Sequence, residues 1–253
     1  MSTDYIVQPV YKALQVLRCL GDERRELALS EICHRVDLPK TTVFRYLQTL
    51  CACGFVSHDR DTDLYRIGLR VWELGQSVNE PMHVRSAAVP AMRDLRQRFN
   101  ETVNLGVLDG LEVVYVEIIE SRRSLRTQAQ LGGRDPVYST ALGKAVLALK
   151  PEDQWFAHLP KTLAARTDRT VTSFARLRQT LLEVRACGFA FDDEENEEGA
   201  RCIAAPIVNH QGHALAAISL SAPAFRLPDR LLPRATAAVK ETAAEISHHL
   251  SYH

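Results

Sequence analysis

Apolar residues recur every three or four positions over Val10–Leu20 (VYKALQVLRCL), which predicts a helix with one buried face that ends at Gly21. Ser30 is placed to cap the short helix that follows. From Pro39 to about Cys53 the helical period returns. Val43, Leu47 and Leu50 fall on a core side, and Lys40, Thr41, Thr42, Arg45 and Thr49 fall on the other. Pro39 suits a first helical turn, where its missing N–H costs nothing, and Gly54 suits the position just past a last turn. Phe55–Ser57 and Leu64–Ile67 then alternate as strands around the polar tip Asp59–Asp63. Short helix, tight turn, second helix and hairpin make a winged helix-turn-helix. Its outer face carries residue types that reach phosphates and base edges in a major groove. A helical hairpin with a solvated polar face is the alternative. From Leu38 to His58 there is no Asp or Glu, although 25% of the chain is charged. A solvated helix mixes signs, whereas a surface approaching phosphates excludes carboxylates.

Farther along, Gly68–Asn79 (GLRVWELGQSVN) predicts a linker helix, Pro81 an interruption, and His83–Phe99 a further helix. Beyond Glu101 the period changes to that of strands. Thr102–Leu108 and Leu111–Ile119 flank Asp109-Gly110, a strong hairpin signal, and Leu125–Leu131 is a third strand candidate ended by Gly132-Gly133. Tyr138-Ser139-Thr140 opens a helix over Ala141–Leu149, and two more follow at about Pro151–His158 and Ser173–Cys187. Strands are expected at Phe189–Phe191, Cys202–Val208 and Ala214–Ser221, with an acidic loop after the first. Leu227–Leu250 closes the chain as a long amphipathic helix, with His248 and His249 on its surface and His253 in the tail. The whole reads as α+β: a winged helix-turn-helix over 1–67, a linker helix over 68–82, and a domain over 83–253 with an antiparallel sheet flanked by helices.

Composition narrows the classes. Lys+Arg and Asp+Glu balance at 31 each, which argues against a protein that coats nucleic acid nonspecifically and permits a specific binder with one positive face. The six cysteines form no paired CxxC sets, so a zinc ribbon is not expected. No apolar run reaches about 18 residues and the N-terminus is not signal-like, so the cytoplasm is the expected compartment and a membrane is not an expected partner.

Chemistry-bearing groups concentrate in the second half. If Asn209–Gly212 is a turn, Val208 opposes His213 and Cys202 opposes Ser219. One sheet face is then aliphatic, with Ile203, Ile207, Ile218 and Leu220. The other carries Cys202, Ala204, Ala217, Ser219 and Ser221, and either lines a ligand cavity or is packed on small neighbours. The helix start at Ser139–Gly143 offers free N–H groups that favour an anion, although Ser139 or Thr140 taken alone is as well read as a cap. Asp192-Asp193-Glu194-Glu195-Asn196-Glu197-Glu198 reads as a solvated loop lacking the ligand spacing of a calcium site, and neither metal nor cofactor is expected. In this pairing His210 and His213 lie about 20 Å along the strand from Cys202, which argues against thiol catalysis and against an enzyme.

Three segments, LPKTTVFRYLQTL, STALGKAVLA and DDEENEEGARCIAAPIVNHQGHALAAISLS, together resemble the IclR family of transcriptional regulators over essentially the whole chain. The resemblance implies a winged helix-turn-helix, a linker helix, a GAF-like effector domain, homodimers or homotetramers on double-stranded operator DNA, and a small carboxylate effector. VFRYLQTL, WELG, PVYSTALGK and EENEEGARCIA are similar to the subgroup that serves sugar-acid catabolism and responds to 2-keto-3-deoxygluconate; family members repress or activate, some do both, and a repressor is expected here. By matching motifs, effector contacts are carried to Ala141, Leu142, Asp192, Cys202, Ser219 and Ser221, and to Leu125 and Thr127 on the preceding strand. DNA contacts fall on Lys40, Thr41, Thr42, Arg45 and Thr49, with Arg60 on the wing. Alternatives are an aromatic-acid or short oxo-acid effector, direct redox sensing by Cys202, and a protein-interaction module that does not bind DNA.

Overall fold

The computed structural model describes residues 5–77 and 79–251. The chain forms two compact units, Met1–Asn79 and Glu80–His253. Among the described residues no helix is long and apolar enough to cross a membrane.

The first unit runs α1 (Gln8–Glu23), β1 (Leu27–Ala28), α2 (Leu29–Val36), α3 (Lys40–Ala52), β2 (Val56–Asp59), β3 (Leu64–Ile67) and α4 (Leu69–Gly75). Val16, Leu20, Ile32, Val43, Leu47, Leu50 and Tyr65 close one apolar core under α2 and α3. The wing is β2–β3, and β1 adds to it in the antiparallel order β1-β3-β2. The carbonyl of Pro39 accepts the N–H groups of Thr42 and Val43 at 2.9 and 3.0 Å, so α3 starts where expected. Gly54 at φ +78° lets the Phe55 N–H turn back to the Leu50 carbonyl at 2.9 Å, which ends it.

Helix ends elsewhere depart from expectation. α1 runs through Gly21 and stops at Arg24, whose φ is 50°. One internal glycine costs only about 1 kcal/mol, which the burial of Val16 and Leu20 outweighs. Ser30 lies inside α2 rather than before it. Glu31 supplies the capping instead, its carboxylate accepting the Ala28 N–H at 3.0 Å. The first wing strand is Val56–Asp59, not Phe55–Ser57. The helix expected over Gly68–Asn79 is α4, which ends at Gly75, and Val78 lies outside the described residues.

The second unit runs α5 (Asn79–Phe99), β4 (Thr102–Asp109), β5 (Glu112–Ile119), β6 (Arg134–Pro136), α6 (Ala141–Leu149), a 3-10 turn at Glu152–His158, α7 (Phe174–Cys187), β7 (Ala190–Asp193), β8 (Ala200–Val208), β9 (Ala214–Pro223) and α8 (Leu232–Ser251). Pro81 does not interrupt α5. It sits in the first turn, where no N–H bond is needed. The strands form one antiparallel sheet in the order β6-β5-β4-β9-β8-β7. Ile203, Ile207, Ile218 and Leu220 pack on α5 and α8 through Met92, Leu95, Val239 and Ile246. The opposite face, with Tyr115, Ala204 and Ala217, packs on α6 and α7 through Leu142, Leu147, Leu177 and Leu181.

Leu125–Leu131 is not a strand. Leu125 and Leu131 are 61% and 47% exposed, so no apolar face holds the segment to the sheet. The third strand of that side is β6, entered through Gly132 at φ +77°. The β8–β9 register is also displaced. Cys202 pairs with Ser221 and Ala204 with Ser219, two residues from the expected register, with a shift between Ile207 and Val208. Asn209 is the cause: its Oδ1 accepts the N–H groups of Gln211 and His213 at 3.0 and 2.9 Å, which widens the turn to His213. A slip of two keeps every side chain on its face. α8 begins at Leu232 rather than Leu227, after a 3-10 turn at Asp229–Leu231 that follows Pro228, since the residue before a proline avoids the helical region. His248 and His249 are exposed on α8, and His253 lies outside the described residues.

The α6 start depends on one close approach. Thr140 Oγ1 accepts the Gly143 N–H at 3.1 Å, and a Cβ on Gly143 would fall on the Val137 carbonyl, 2.5 Å from Val137 Cα and 2.8 Å from Thr140 Oγ1. Gly143→Ala is expected to destabilise the second unit by about 1–3 kcal/mol. Thermal unfolding measures this, and an unchanged midpoint would contradict the packing described.

Candidate functional site

On the first unit, α3 presents Lys40, Thr41, Arg45 and Thr49 to solvent, and Thr42 is half-buried. Thr49 Oγ1 donates to the Arg45 carbonyl at 2.9 Å, so its hydroxyl proton is engaged within the helix. Arg60 stands exposed at the wing tip. Neighbouring arginines are ion-paired: Arg18 with Asp22, Arg25 with Glu31, Arg35 with Glu23, Arg66 with Glu26, and Arg70 with Glu73. Lys40, Arg45 and Arg60 have no ion pair among the described residues. Phe44, 43% exposed, and Gln48 share this surface. Neither is among the cations and hydroxyls that the sequence pattern points to; their helical spacing from Thr41 is the signal that places them here.

The second unit holds a small polar cavity of about 50 Å³ beside the sheet face that meets α6. Thr127, Asp192, Cys202 and Ser221, expected from the sequence, line it. Ser219 is one bond away: Asn104 Nδ2 donates to Ser219 Oγ at 3.2 Å and to Ser221 Oγ at 3.0 Å. Leu125, Ala141 and Leu142 do not line it. Leu125 is exposed, and Ala141 and Leu142 are packed into the α6–α7 core. The lining also holds Asn104, Tyr115, Asp135 and Asn196, which the sequence did not reveal. They come from separate strands and loops that only the sheet order β6-β5-β4-β9-β8-β7 brings together.

The acidic run after β7 is built into this site rather than left in solvent. Lys144, fully buried on α6, donates to the Phe191 carbonyl at 2.6 Å and to Glu195 Oε1 at 2.5 Å. Asp192 Oδ1 accepts the N–H groups of Glu195 and Asn196 at 2.7 and 3.3 Å, and Ser139 donates to Asn196 Oδ1 at 2.8 Å. Arg169 and Arg201 pair with Asp193. Among the described residues no group of three or more His, Cys, Asp or Glu is arranged to hold a metal ion.

Burial pushes the Asp192 carboxyl up to about 7, against the opposing pull of the Lys144 ammonium and the two backbone N–H groups. Burial, then the nearby Asp192, pushes the Cys202 thiol far above its ordinary range. Its Sγ lies 2.9 Å from Ser221 Oγ. A thiol held protonated is a poor nucleophile and a poor redox sensor. Tyr115 is likewise raised, by burial and then by Asp135, to which its hydroxyl donates at 2.8 Å.

A winged helix with unpaired cations on its outer helix, followed by an α+β unit with a polar cavity, defines a DNA-binding transcriptional regulator with a second, ligand-type domain. The description "IclR helix-turn-helix domain" matches residues 9–60, and "Bacterial transcriptional regulator IclR C-terminal" matches residues 76–248. The chain belongs to the IclR family, and it is a regulator rather than an enzyme. It is 36% identical to the HTH-type transcriptional regulator KdgR of Escherichia coli over 98% of this chain and 94% of that one. The crystal structure of IclR from Thermotoga maritima matches with a TM-score of 0.79 at 31% identity, covering 98% of this chain and 100% of the other. An IclR homologue from Microbacterium hydrocarbonoxydans, solved in complex with 4-hydroxybenzoate, matches with a TM-score of 0.82 at 27% identity, covering 96% and 98%.

Asp192 makes stability depend on pH. Its folded value of about 7 lies above the ordinary 3.8, so its contribution is complete below about pH 4 and is lost as pH rises through about 7. Asp192→Asn removes that loss. Its melting temperature relative to the native chain is expected to rise between about pH 4 and pH 8; a difference independent of pH would show that the carboxyl is not held neutral by burial.

Proposed function

We propose that this chain is a cytoplasmic, homo-oligomeric repressor whose operator affinity is set by a small carboxylate effector of sugar-acid catabolism. The DNA contacts are Lys40, Thr41, Thr42, Arg45 and Thr49 on α3 and Arg60 on the wing, and residues 68–82 connect the DNA-binding and effector domains. The observation that carries the effector reading is the cavity itself: amide, hydroxyl and carboxyl groups of Asn104, Thr127, Asp192 and Ser221 line one space and suit the hydroxyl groups of a polyhydroxylated ligand. Overall similarity to KdgR supports the subgroup. The cavity is small, about 50 Å³, and effector entry displaces the acidic segment or the 125–131 segment. That movement is the step that shifts the population competent for DNA. An aromatic acid is the second reading, favoured by the 4-hydroxybenzoate complex of the Microbacterium homologue.

Thermal-shift measurements against 2-keto-3-deoxygluconate, aldonic and uronic acids, hydroxybenzoates, glyoxylate and pyruvate separate these readings. The true effector at about 100 times its Kd adds roughly 2.7 kcal/mol to stability. The gain is expected to disappear in Asp192→Ala. A shift from hydroxybenzoate alone would replace the sugar-acid reading with the aromatic one.

On DNA, Arg45→Ala is expected to weaken operator binding by about 1–3 kcal/mol. Lys40→Ala is expected to weaken all sequences alike and to reduce the salt dependence by about one counterion. Titrations at several salt concentrations measure both, and unchanged slopes would remove Lys40 from the phosphate contacts.

A further inference from the structure

The outer surface of α3 carries two groups that phosphate binding does not use. Phe44 is 43% exposed on a helix whose other outward residues, apart from Ala52 in the last turn, are cations, hydroxyls and an amide. Gln48 is exposed one turn farther along. Thr41, Phe44 and Gln48 stand at i, i+3 and i+7 and so share one ridge, with Arg45 beside it. Lys40 and Arg45 have no ion pair among the described residues, and no carboxylate occurs from Leu38 to His58, so the surface is complementary to a polyanion. A phenyl ring has nothing to offer a phosphate. The one apolar group on a major-groove base edge is the C5-methyl of thymine, and the amide of glutamine matches the N6–N7 edge of adenine.

We propose that Phe44 and Gln48 are specificity-determining residues that read A·T pairs, Phe44 by packing on a thymine methyl and Gln48 by a bidentate bond to adenine. The four-residue spacing gives about 6 Å of rise along the helix, or about two base-pair steps. The two contacts therefore fall about two base pairs apart within one half-site. This inference rests on the DNA-binding function and adds to it the bases read.

The full chain is first used to select its binding sequence from random duplexes, and each thymine of that sequence is then replaced singly by deoxyuridine, which lacks only the methyl. One replacement is expected to weaken the native chain about fourfold, the worth of one methyl group hidden from water. The same replacement is expected to leave Phe44→Ala unchanged and to weaken Phe44→Leu partly, since leucine keeps an apolar contact. Gln48→Ala, selected in the same way, is expected to lose about tenfold in adenine preference at one position. A native chain indifferent to deoxyuridine at every position overturns the thymine contact without the use of any variant. Equal deoxyuridine losses in the native chain and Phe44→Ala assign the methyl to another residue. An unaltered adenine preference in Gln48→Ala overturns its role. A selection that enriches no sequence overturns operator recognition itself, and this inference with it.

Discussion

The buried ammonium of Lys144 is the constraint around which the second unit's polar face is arranged. It sits at 0% exposure on α6, inside an otherwise apolar helix. A charge in such a place costs several kcal/mol unless it is paired and fully hydrogen-bonded. The Phe191 carbonyl, within β7, and the Glu195 carboxylate, in the segment that follows it, each accept an N–H of the ammonium. The acidic segment therefore has to fold back onto α6. Its return sets Asp192 under the Glu195 and Asn196 N–H groups and sets Asn196 against Ser139. Thr167 and Thr170 hold the same turn from outside, through the Glu194 and Glu195 carbonyls. The ion pair thus specifies one loop conformation, which is a better account of a buried pair than net stabilisation.

What was legible in the sequence was local. Pro39 and Gly54 bound α3, Thr140 caps α6, and Asp109-Gly110 turns β4 into β5, each by a rule that acts within a few residues. The two sheet faces were legible as well, because alternation survives a register error of two. The register was not, since Asn209 reaches over the turn to His213 in a way that no spacing announces. Nor was the fate of 125–131, which looks strand-like but is fixed by single bonds from distant hydroxyls, Thr102 to the Thr127 carbonyl and Thr127 to the Ser221 carbonyl.

The candidate site divides along the same line. Cys202, Ser221 and Asp192 were legible from strand alternation and from family motifs. Asn104 was not, because its importance arises from pairing with Ser219 across β4 and β9, more than a hundred residues away in sequence. Its Oδ1 is buried and without a hydrogen-bond partner, on a residue that lines the cavity. The cavity carries Asp135, Asp192 and Glu197 and no Lys or Arg. A carboxylate ligand is therefore disfavoured on charge alone wherever Asp192 is ionised. Burial raises Asp192 to about 7, which lessens that charge near neutrality and adds a donor to a group that already accepts two N–H bonds.

Charge in the first unit follows the opposite logic. The chain is neutral overall, with 31 residues of each sign, so no long-range field draws it to nucleic acid. Recognition has to come from placement. Arg18, Arg25, Arg35, Arg66 and Arg70 spend their charge on neighbouring carboxylates, and those pairs are exposed and weak. What they accomplish is to neutralise much of the charge around the helix-turn-helix while leaving the outer side of α3 uncompensated. There Lys40 and Arg45 stand without ion-pair partners among the described residues, and the carboxylate-free run from Leu38 to His58 keeps them so, whereas Arg60 stands on the wing between Asp59 and Asp61. A neutral chain with one uncompensated stripe binds weakly wherever that stripe cannot lie along a groove. The same balance that rules out nonspecific coating makes affinity depend on the fit of one helix, and the base-reading side chains of that helix then decide where the protein stays.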